Sequence, residues 1–384
     1  MKTIYLDNNA TTAVAPEVRD AMLPYLGELY GNPSSMHSFG GQVAGAVDEA
    51  RQRVARLLGA QPEEIIFTSC GSESDNTAFW SALQTQPEKR RIITTRVEHP
   101  AILNVAQYWA RQGYHVTFLP VDDKCRLDLD AYADALREDT ALVSVMCANN
   151  EVGTIHPVEE MARMAAEKGV LFHTDAVQAV GKVPLDLSKS AIGMLSLSGH
   201  KLHAPKGIGV LYVRKGVRFR PLLRGGHQEH GRRAGTENVP YIIGLGMAAH
   251  LASEHMNEER TGVARLRDKL EQGLLAAVPD CRVNGDTKDR LPNTSNIAFK
   301  NVEGEAILLM LDRLGICASS GSACTSGSLE PSHVLRAMGV PFTYAHGSVR
   351  FSLSRYTTEE EVDFTVQHLP SVIETLRKIS PFKG

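Results

Sequence analysis

No run of the sequence is apolar for long enough to cross a membrane as a helix, so a helical membrane span is not expected. Cysteine is scarce: there are six in 384 residues, at Cys70, Cys125, Cys147, Cys281, Cys317 and Cys324. None forms a CxxC pair or a Cys/His zinc spacing, which leaves no disulfide framework and no structural zinc site to expect. Charge of one sign is lacking too. A formal net charge of −3 gives no reason to expect nucleic acid or an anionic membrane as the main partner. Basic residues do gather at Arg218–Arg233, but histidines and glycines interrupt them, a pattern that suits a small anionic ligand. There is no GxxxxGK[ST], and no GxGxxG follows a strand pattern, so neither ATP nor a dinucleotide is supported. The first residues, Met1 to Asp7, reach polar side chains too soon for a secretory leader and lack the Arg/Ser bias of a transit peptide. With a reducing compartment as the default for scattered thiols, a cytoplasmic location is expected.

What is present is an alternation of short apolar runs with helical patterns over the first two-thirds of the chain, which argues for a mostly parallel sheet covered by helices. Strand candidates are Ile65–Ser69, Ile92–Thr95, Leu142–Cys147, Val170–Thr174, Ile192–Leu197 and Ile208–Val213. Val43, Val47, Ala50, Val54 and Leu57 recur at helical spacing before Gly59, and Pro157 opens a second helix closed by Gly169. The last third mixes elements: a helical pattern around Val263–Val278, then Ser295–Phe299, Glu305–Leu314 and Val349–Leu353. A closing helix follows Thr357, with Glu360 placed for a capping box. A smaller α+β domain is expected there, with a boundary near residue 255.

In open α/β sheets, ligands sit beyond the carboxyl ends of the strands. Here those ends run into Cys70-Gly71-Ser72, Glu98-His99, Asn149-Asn150, Asp175 and Ser198-Gly199-His200-Lys201. Gly71-Ser72 reads either as an ordinary N-cap or as a phosphate seat at a helix N-terminus. Asp175 reads either as a cap or ion-pair partner, or as a counter-ion for a protonated ring nitrogen, with Gln178 facing the same ligand. Lys201 follows a strand end among His200, His203 and Lys206, and cationic neighbours lower an amine's pKa and free it for Schiff-base chemistry. Pyridoxal phosphate needs a lysine, an acid at the pyridine nitrogen, a phosphate seat and a stacking side chain. Lys201, Asp175, Gly71-Ser72 and His99 could supply all four. Cys324 stands in Ala-Ser-Ser-Gly-Ser-Ala-Cys-Thr-Ser-Gly-Ser, flanked by small residues that cannot bury it, and reads as a used thiol or as an incidental one. Cys70, Cys147 and Cys317 read as structural thiols.

With these residues assembled, the chain resembles the cysteine desulfurases of the class-V aminotransferase-like enzymes, and most closely the NifS type. The resemblance runs nearly the whole length. Its carriers are Tyr5-Leu6-Asp7-Asn8-Asn9-Ala10-Thr11-Thr12, Gly31-Asn32-Pro33-Ser34-Ser35, Glu98-His99-Pro100, Asn149-Asn150-Glu151, His173-Thr174-Asp175-Ala176-Val177-Gln178, Ser198-Gly199-His200-Lys201, Arg233-Ala234-Gly235-Thr236 and Ser320-Gly321-Ser322-Ala323-Cys324. It implies fold type I of the pyridoxal-phosphate transferases, a large α/β domain (15–255) with a mostly parallel seven-stranded sheet, and a small α+β domain made of 1–14 and 256–384. It also implies a homodimer. Lys201 would hold pyridoxal 5'-phosphate, His99 would stack on the ring and serve as acid/base, and Asp175 would pair with the ring nitrogen. Gln178 would meet the ring hydroxyl, and Gly71, Ser72, Ser198, Gly199 and His200 would surround the phosphate, with Thr236 arriving from the other subunit. Asn150 and Arg355 would grip the substrate carboxylate. Ser72 stands where many relatives carry threonine, which keeps the hydroxyl.

The activity so implied is conversion of L-cysteine to L-alanine, with the sulfur passing to Cys324 as a persulfide and then to a scaffold protein that builds iron–sulfur clusters, in the setting of nitrogen fixation. No resident metal is expected, and at most a transient iron–sulfur contact at Cys324. A selenocysteine lyase or another fold type I enzyme would keep Lys201 and Asp175, but the Cys324 loop argues against an aminotransferase. A non-catalytic thiol carrier of metal fits poorly with six cysteines that lack ligand spacing.

Overall fold

The structure is a computed structural model that describes residues 3–320 and 331–380. Its strands, in chain order, are β1 (Ile4–Tyr5), β2 (Ile65–Thr68), β3 (Arg91–Thr95), β4 (His115–Leu119), β5 (Thr140–Ser144), β6 (Leu171–Asp175), β7 (Met194–Ser198), β8 (Gly209–Val213), β9 (Cys281–Asn284), β10 (Thr294–Phe299), β11 (Ile316–Cys317) and β12 (Ser348–Ser352). Seven of them form the main sheet in the order β2-β8-β7-β6-β5-β3-β4, and β8 alone runs against the others. β5, β7 and β8 are buried at every residue. That is why the strands read as continuous apolar runs rather than as an alternation: helices cover both faces of the sheet. The polar residues inside the sheet satisfy one another. His173 on β6 reaches Ser144 on β5 through Nδ1 and Ser196 on β7 through Nε2, both at 2.9 Å.

Six of the seven strands match apolar runs in the sequence to within a few residues. The seventh, β4, is the edge strand His-Val-Thr-Phe-Leu, in which only Leu119 is fully buried, so its apolar run is broken. The helix Ser38–Leu58 ends where Gly59 turns left-handed at φ 64°, and it packs on Val239–Glu254. Their approach depends on Gly246, where a Cβ would lie 2.6 Å from the Ala50 Cα.

A second core gathers around Leu270, Leu274, Ile297, Phe299, Ile307, Val349, Phe351 and Ile373, and the N-terminal Ile4 and Leu6 join it. It holds the antiparallel sheet β12-β10-β9 and the parallel pair β1-β11. A π-turn, Glu259–Val263, interrupts the helical stretch leading into Ala264–Ala277. The closing helix is Glu359–Ile379, and its capping box is Thr358 with Glu361, one residue later than the Thr357–Glu360 spacing suggested. The Thr357 hydroxyl is engaged elsewhere, accepting from the Ser354 N–H at 3.1 Å.

Candidate active site

Because β2, β3, β5, β6 and β7 all run the same way, their carboxyl ends meet at one edge of the sheet. A cavity of about 270 Å³ opens there. Gly71 and Ser72 line it at the start of the helix Gly71–Thr85, which follows β2. The first N–H groups of such a helix have no intrahelical acceptor and favour an anion. Gly71 has to be a glycine, since a Cβ there would come within 2.9 Å of Val177 Cγ2. Close by, the Ser198 hydroxyl lines the cavity, fully buried and with no hydrogen-bond partner. His200 completes this end. Its Nδ1 lies 3.1 Å from the Thr11 hydroxyl, and burial, then Lys201 and Lys206, push it down to about 4, so it is neutral at pH 7.

The Lys201 amine sits in the short 3-10 turn after β7 and donates to the Asn9 carbonyl and, at 2.7 Å, to the Ala10 carbonyl. Burial, reinforced by Lys182 and Arg350 and opposed by Asp7 and Asp175, pushes it down to about 7. Near neutral pH a large share of it is therefore the free amine, the form that attacks a carbonyl. Asp175, at the end of β6, accepts from the Val177 N–H at 2.9 Å. Its carboxyl is raised by burial and pulled back by His99, by that N–H and by Lys201, so a further cation set against it would be stabilised. His99 caps the helix Pro100–Arg111, taking the Ala101 N–H on Nδ1 at 3.1 Å, so the neutral ring carries its proton on Nε2. Burial holds the ring in that neutral form, with Lys201 and His333 helping and Asp175 opposing. Asn150 and Gln178 line the same cavity.

Not every residue picked out from the sequence is here. Gly199 is not on the cavity wall: its N–H is spent on the Ile208 carbonyl at 2.9 Å, which leaves it nothing to offer a phosphate. Arg355 is not on the wall either. Its guanidinium lies over the Tyr356 ring, 4.8 Å from the centroid, and 3.9 Å from Glu259 Oε1. The arginine that does line the cavity is Arg350 on β12, which donates to the Asn150 carbonyl at 3.0 Å and to Asp7 Oδ1 at 2.8 Å, and whose buried Nε has no partner. A lone arginine inside an apolar strand pattern, Val-Arg-Phe, was the signal that could have found it. Thr236 lines a separate cavity of about 190 Å³ with Arg233 and Gly235. Cys70, read as a structural thiol, lines the main cavity, as does the buried Asp75. Cys324 lies outside the described residues.

Residues 4–364 match the family Aminotransferase class-V. A cysteine desulfurase from Trichormus azollae is 63% identical over 384 residues, spanning 100% of this chain and 96% of its own. The cysteine desulfurase NifS of Azotobacter vinelandii is 64% identical over 383 residues, spanning 100% of this chain and 95% of its own. The chain belongs to the cysteine desulfurases. Among solved structures, a NifS-like protein superposes with a TM-score of 0.92 at 41% identity, covering 98% of this chain and 100% of that one. The structure of SspA in complex with cysteine does so at 0.82 and 34%, covering 93% and 100%.

This desulfurase is a pyridoxal-phosphate enzyme of fold type I, and the cavity fits that cofactor. An unpartnered hydroxyl and a helix N-terminus form an anion seat, a depressed lysine suits an aldehyde, and a buried carboxylate suits a protonated ring nitrogen. No helix among the described residues is long and apolar enough to cross a membrane.

Proposed function

We propose that this desulfurase takes sulfur from L-cysteine onto Cys324, leaving L-alanine, and that the persulfide feeds iron–sulfur cluster assembly, in the setting of nitrogen fixation. The observation that carries the reading is the Lys201 amine, held near pKa 7 by burial and by its cationic neighbours, in a cavity that also holds Asp175. The 64% identity to a NifS and the likeness to a protein solved with cysteine supply the substrate and the setting.

The residues divide the work. Lys201 would hold the cofactor, and its free amine would take the substrate's α-proton. Asp175 holds the ring nitrogen protonated, His99 covers the ring and moves a proton at Nε2, and Gln178 meets the ring hydroxyl. Ser198, Ser72, Gly71 and His200 hold the phosphate. Asn150 and Arg350, in place of Arg355, take the substrate carboxylate. When bound, pyridoxal phosphate supplies the electron sink that lets the α-proton leave. The Cys324 thiolate then attacks the substrate sulfur. The S–S bond forms as the C–S bond breaks, the β-carbon left behind takes a proton and the α-carbon regains the one that Lys201 removed, giving alanine, so no outside oxidant or reductant is consumed. Around this centre we place a large domain of 15–255 and a small one of 1–14 with 256–384, a reading supported by the two largest cores, which fall mostly on either side of that boundary. We also place a cytoplasmic homodimer in which Thr236 reaches the partner subunit's phosphate, and a scaffold protein as sulfur acceptor.

The test is mass spectrometry after treatment with L-cysteine. One extra sulfur is expected on the peptide containing Cys324, and Cys324→Ala should stay yellow yet make almost no alanine. Sulfur on Cys70, Cys147 or Cys317, or normal turnover by Cys324→Ala, would falsify the reading.

A further inference from the structure

A buried run of charge lies against the wall that carries Lys201, and its lysine has no part in the roles above. Lys182 follows Gln178 on the turn after β6 and is 6% exposed. Its Nζ donates to Gln178 twice, to the main-chain carbonyl at 3.1 Å and to Oε1 at 3.2 Å. Gln178 donates through Nε2 to the Asn9 carbonyl at 2.9 Å, and that same carbonyl accepts from Lys201 Nζ. Lys182 and Lys201 are thus joined by one side chain and one shared acceptor.

A lysine buried this far needs a counter-charge. Glu259 supplies it. This carboxylate is 5% exposed and opens the π-turn Glu259–Val263; π-turns inside α-helical stretches frequently mark functional positions. It also faces Arg355, whose departure from the cofactor cavity is thereby explained. Lys182, Lys201, Glu259 and Arg355 all border one gap of about 10 Å³, room for at most a single water, so the charges meet with little solvent to screen them.

We propose that Lys182 is a positioning residue of the desulfurase reaction: it fixes Gln178 in the cofactor cavity and keeps a positive charge beside Lys201, so that Lys201 meets the cofactor as a free amine. The surrounding charges support the assignment. Lys201 faces Lys182 and Arg350 on the cationic side and Asp7 and Asp175 on the anionic side, while His99 and His200 are held neutral. Lys182 itself faces Glu259, which favours its proton, and Arg350, which disfavours it. Burial sets it at about 8, so it stays mostly charged at neutral pH.

The proposal rests on Lys201 being the cofactor lysine, and the experiment separates the two claims. The apoprotein is mixed with pyridoxal phosphate, and the growth of the yellow band is timed across about pH 6 to 9. Wild type should show a midpoint near 7. Lys182→Met and Lys182→Gln should raise it by about one unit, slowing uptake below the midpoint about tenfold. Lys182→Arg keeps the charge and should restore it. Lys182→Gln can still donate to Gln178, so it isolates the charge, and it stands in if the methionine variant does not fold. A wild-type midpoint in folded Lys182→Gln overturns the proposal, as does a midpoint in Lys182→Arg that moves as far as in Lys182→Met. Lys201→Ala, run alongside, should take up no colour. If it turns yellow, the assignment of Lys201 fails instead.

Discussion

Replacing Arg350 by alanine takes away a guanidinium that is 3% exposed, lines the cofactor cavity and bridges Asp7 and the Asn150 carbonyl. Two costs follow, and they can be read apart. The first falls on stability. Removing one partner of a fully buried pair costs about 3–5 kcal/mol, but the Asp7 side chain keeps 19% exposure and regains water, so on the order of 2 kcal/mol is expected here. The second falls on substrate. A charge-assisted contact to a carboxylate is worth about 1.5–3 kcal/mol, which weakens cysteine binding roughly 10- to 150-fold. The assay is a titration of L-cysteine against the yellow band in a Cys324→Ala background, where turnover does not blur the end point. Arg350→Lys keeps the charge and loses the planar fork, and should fall between. Arg355→Ala should lower the melting temperature, because Glu259 loses a neighbour, while leaving cysteine affinity within about twofold of the background. If Arg355→Ala weakens binding as much as Arg350→Ala, or if Arg350→Ala binds normally, the carboxylate grip lies elsewhere.

Asp175→Asn should retain the cofactor but lose about two orders of magnitude or more in turnover, since an amide cannot hold the ring nitrogen protonated; turnover close to wild type would make the carboxylate merely structural. Glu98 gives a pH signature. Burial pushes it up to about 8, with hydrogen bonds from the Met146 N–H and Thr95 opposing. A carboxyl raised in the folded state binds its proton more tightly there than in the unfolded chain. Its contribution is therefore complete below the ordinary glutamate range and is lost as pH rises through about 8, on the order of a few kcal/mol in all. The melting temperature should fall between pH 5 and 8 by more in wild type than in Glu98→Gln, and parallel curves would contradict this.

Much of this site is legible in the sequence because a covered parallel sheet makes its strands plain and gathers their ends. Reading the residue after each apolar run leads to Gly71, His99, Asn150, Asp175 and Lys201, and all five line one cavity. That rule does not reach a cavity-lining side chain that lies within a strand rather than beyond it. Arg350 sits in the middle of β12, opposite Asn296 on β10, whereas Arg355 came from the family resemblance and not from the strand ends. Gly199 shows a different limit, since nothing in Ser-Gly-His-Lys says that the glycine N–H is taken by the Ile208 carbonyl just before β8. Lys182 and Glu259 are 77 residues apart (182 to 259), and only the folded chain reveals that either is buried beside Lys201.

The described thiols bear on why the sulfur acceptor has to come from outside the cavity. Burial raises Cys125, Cys147, Cys281 and Cys317, with Cys147 reaching about 12, and so holds all four in the thiol form that does not attack sulfur. Cys70 is the exception by position, for it lines the cavity. Its backbone, however, caps the helix Gly71–Thr85, and its carbonyl accepts from the Ser74 N–H at 3.2 Å and from Thr68 Oγ1 at 3.2 Å. A persulfide formed there would lie at the helix start that the proposal gives to the phosphate, and would have to leave a helix cap to reach an acceptor. A thiol that must meet the substrate sulfur in the cavity and later surrender it to another protein cannot be part of the cavity's frame. Of the six cysteines, the proposal above gives that task to Cys324, which lies outside the described residues and whose sequence neighbours are serine, glycine, alanine and threonine.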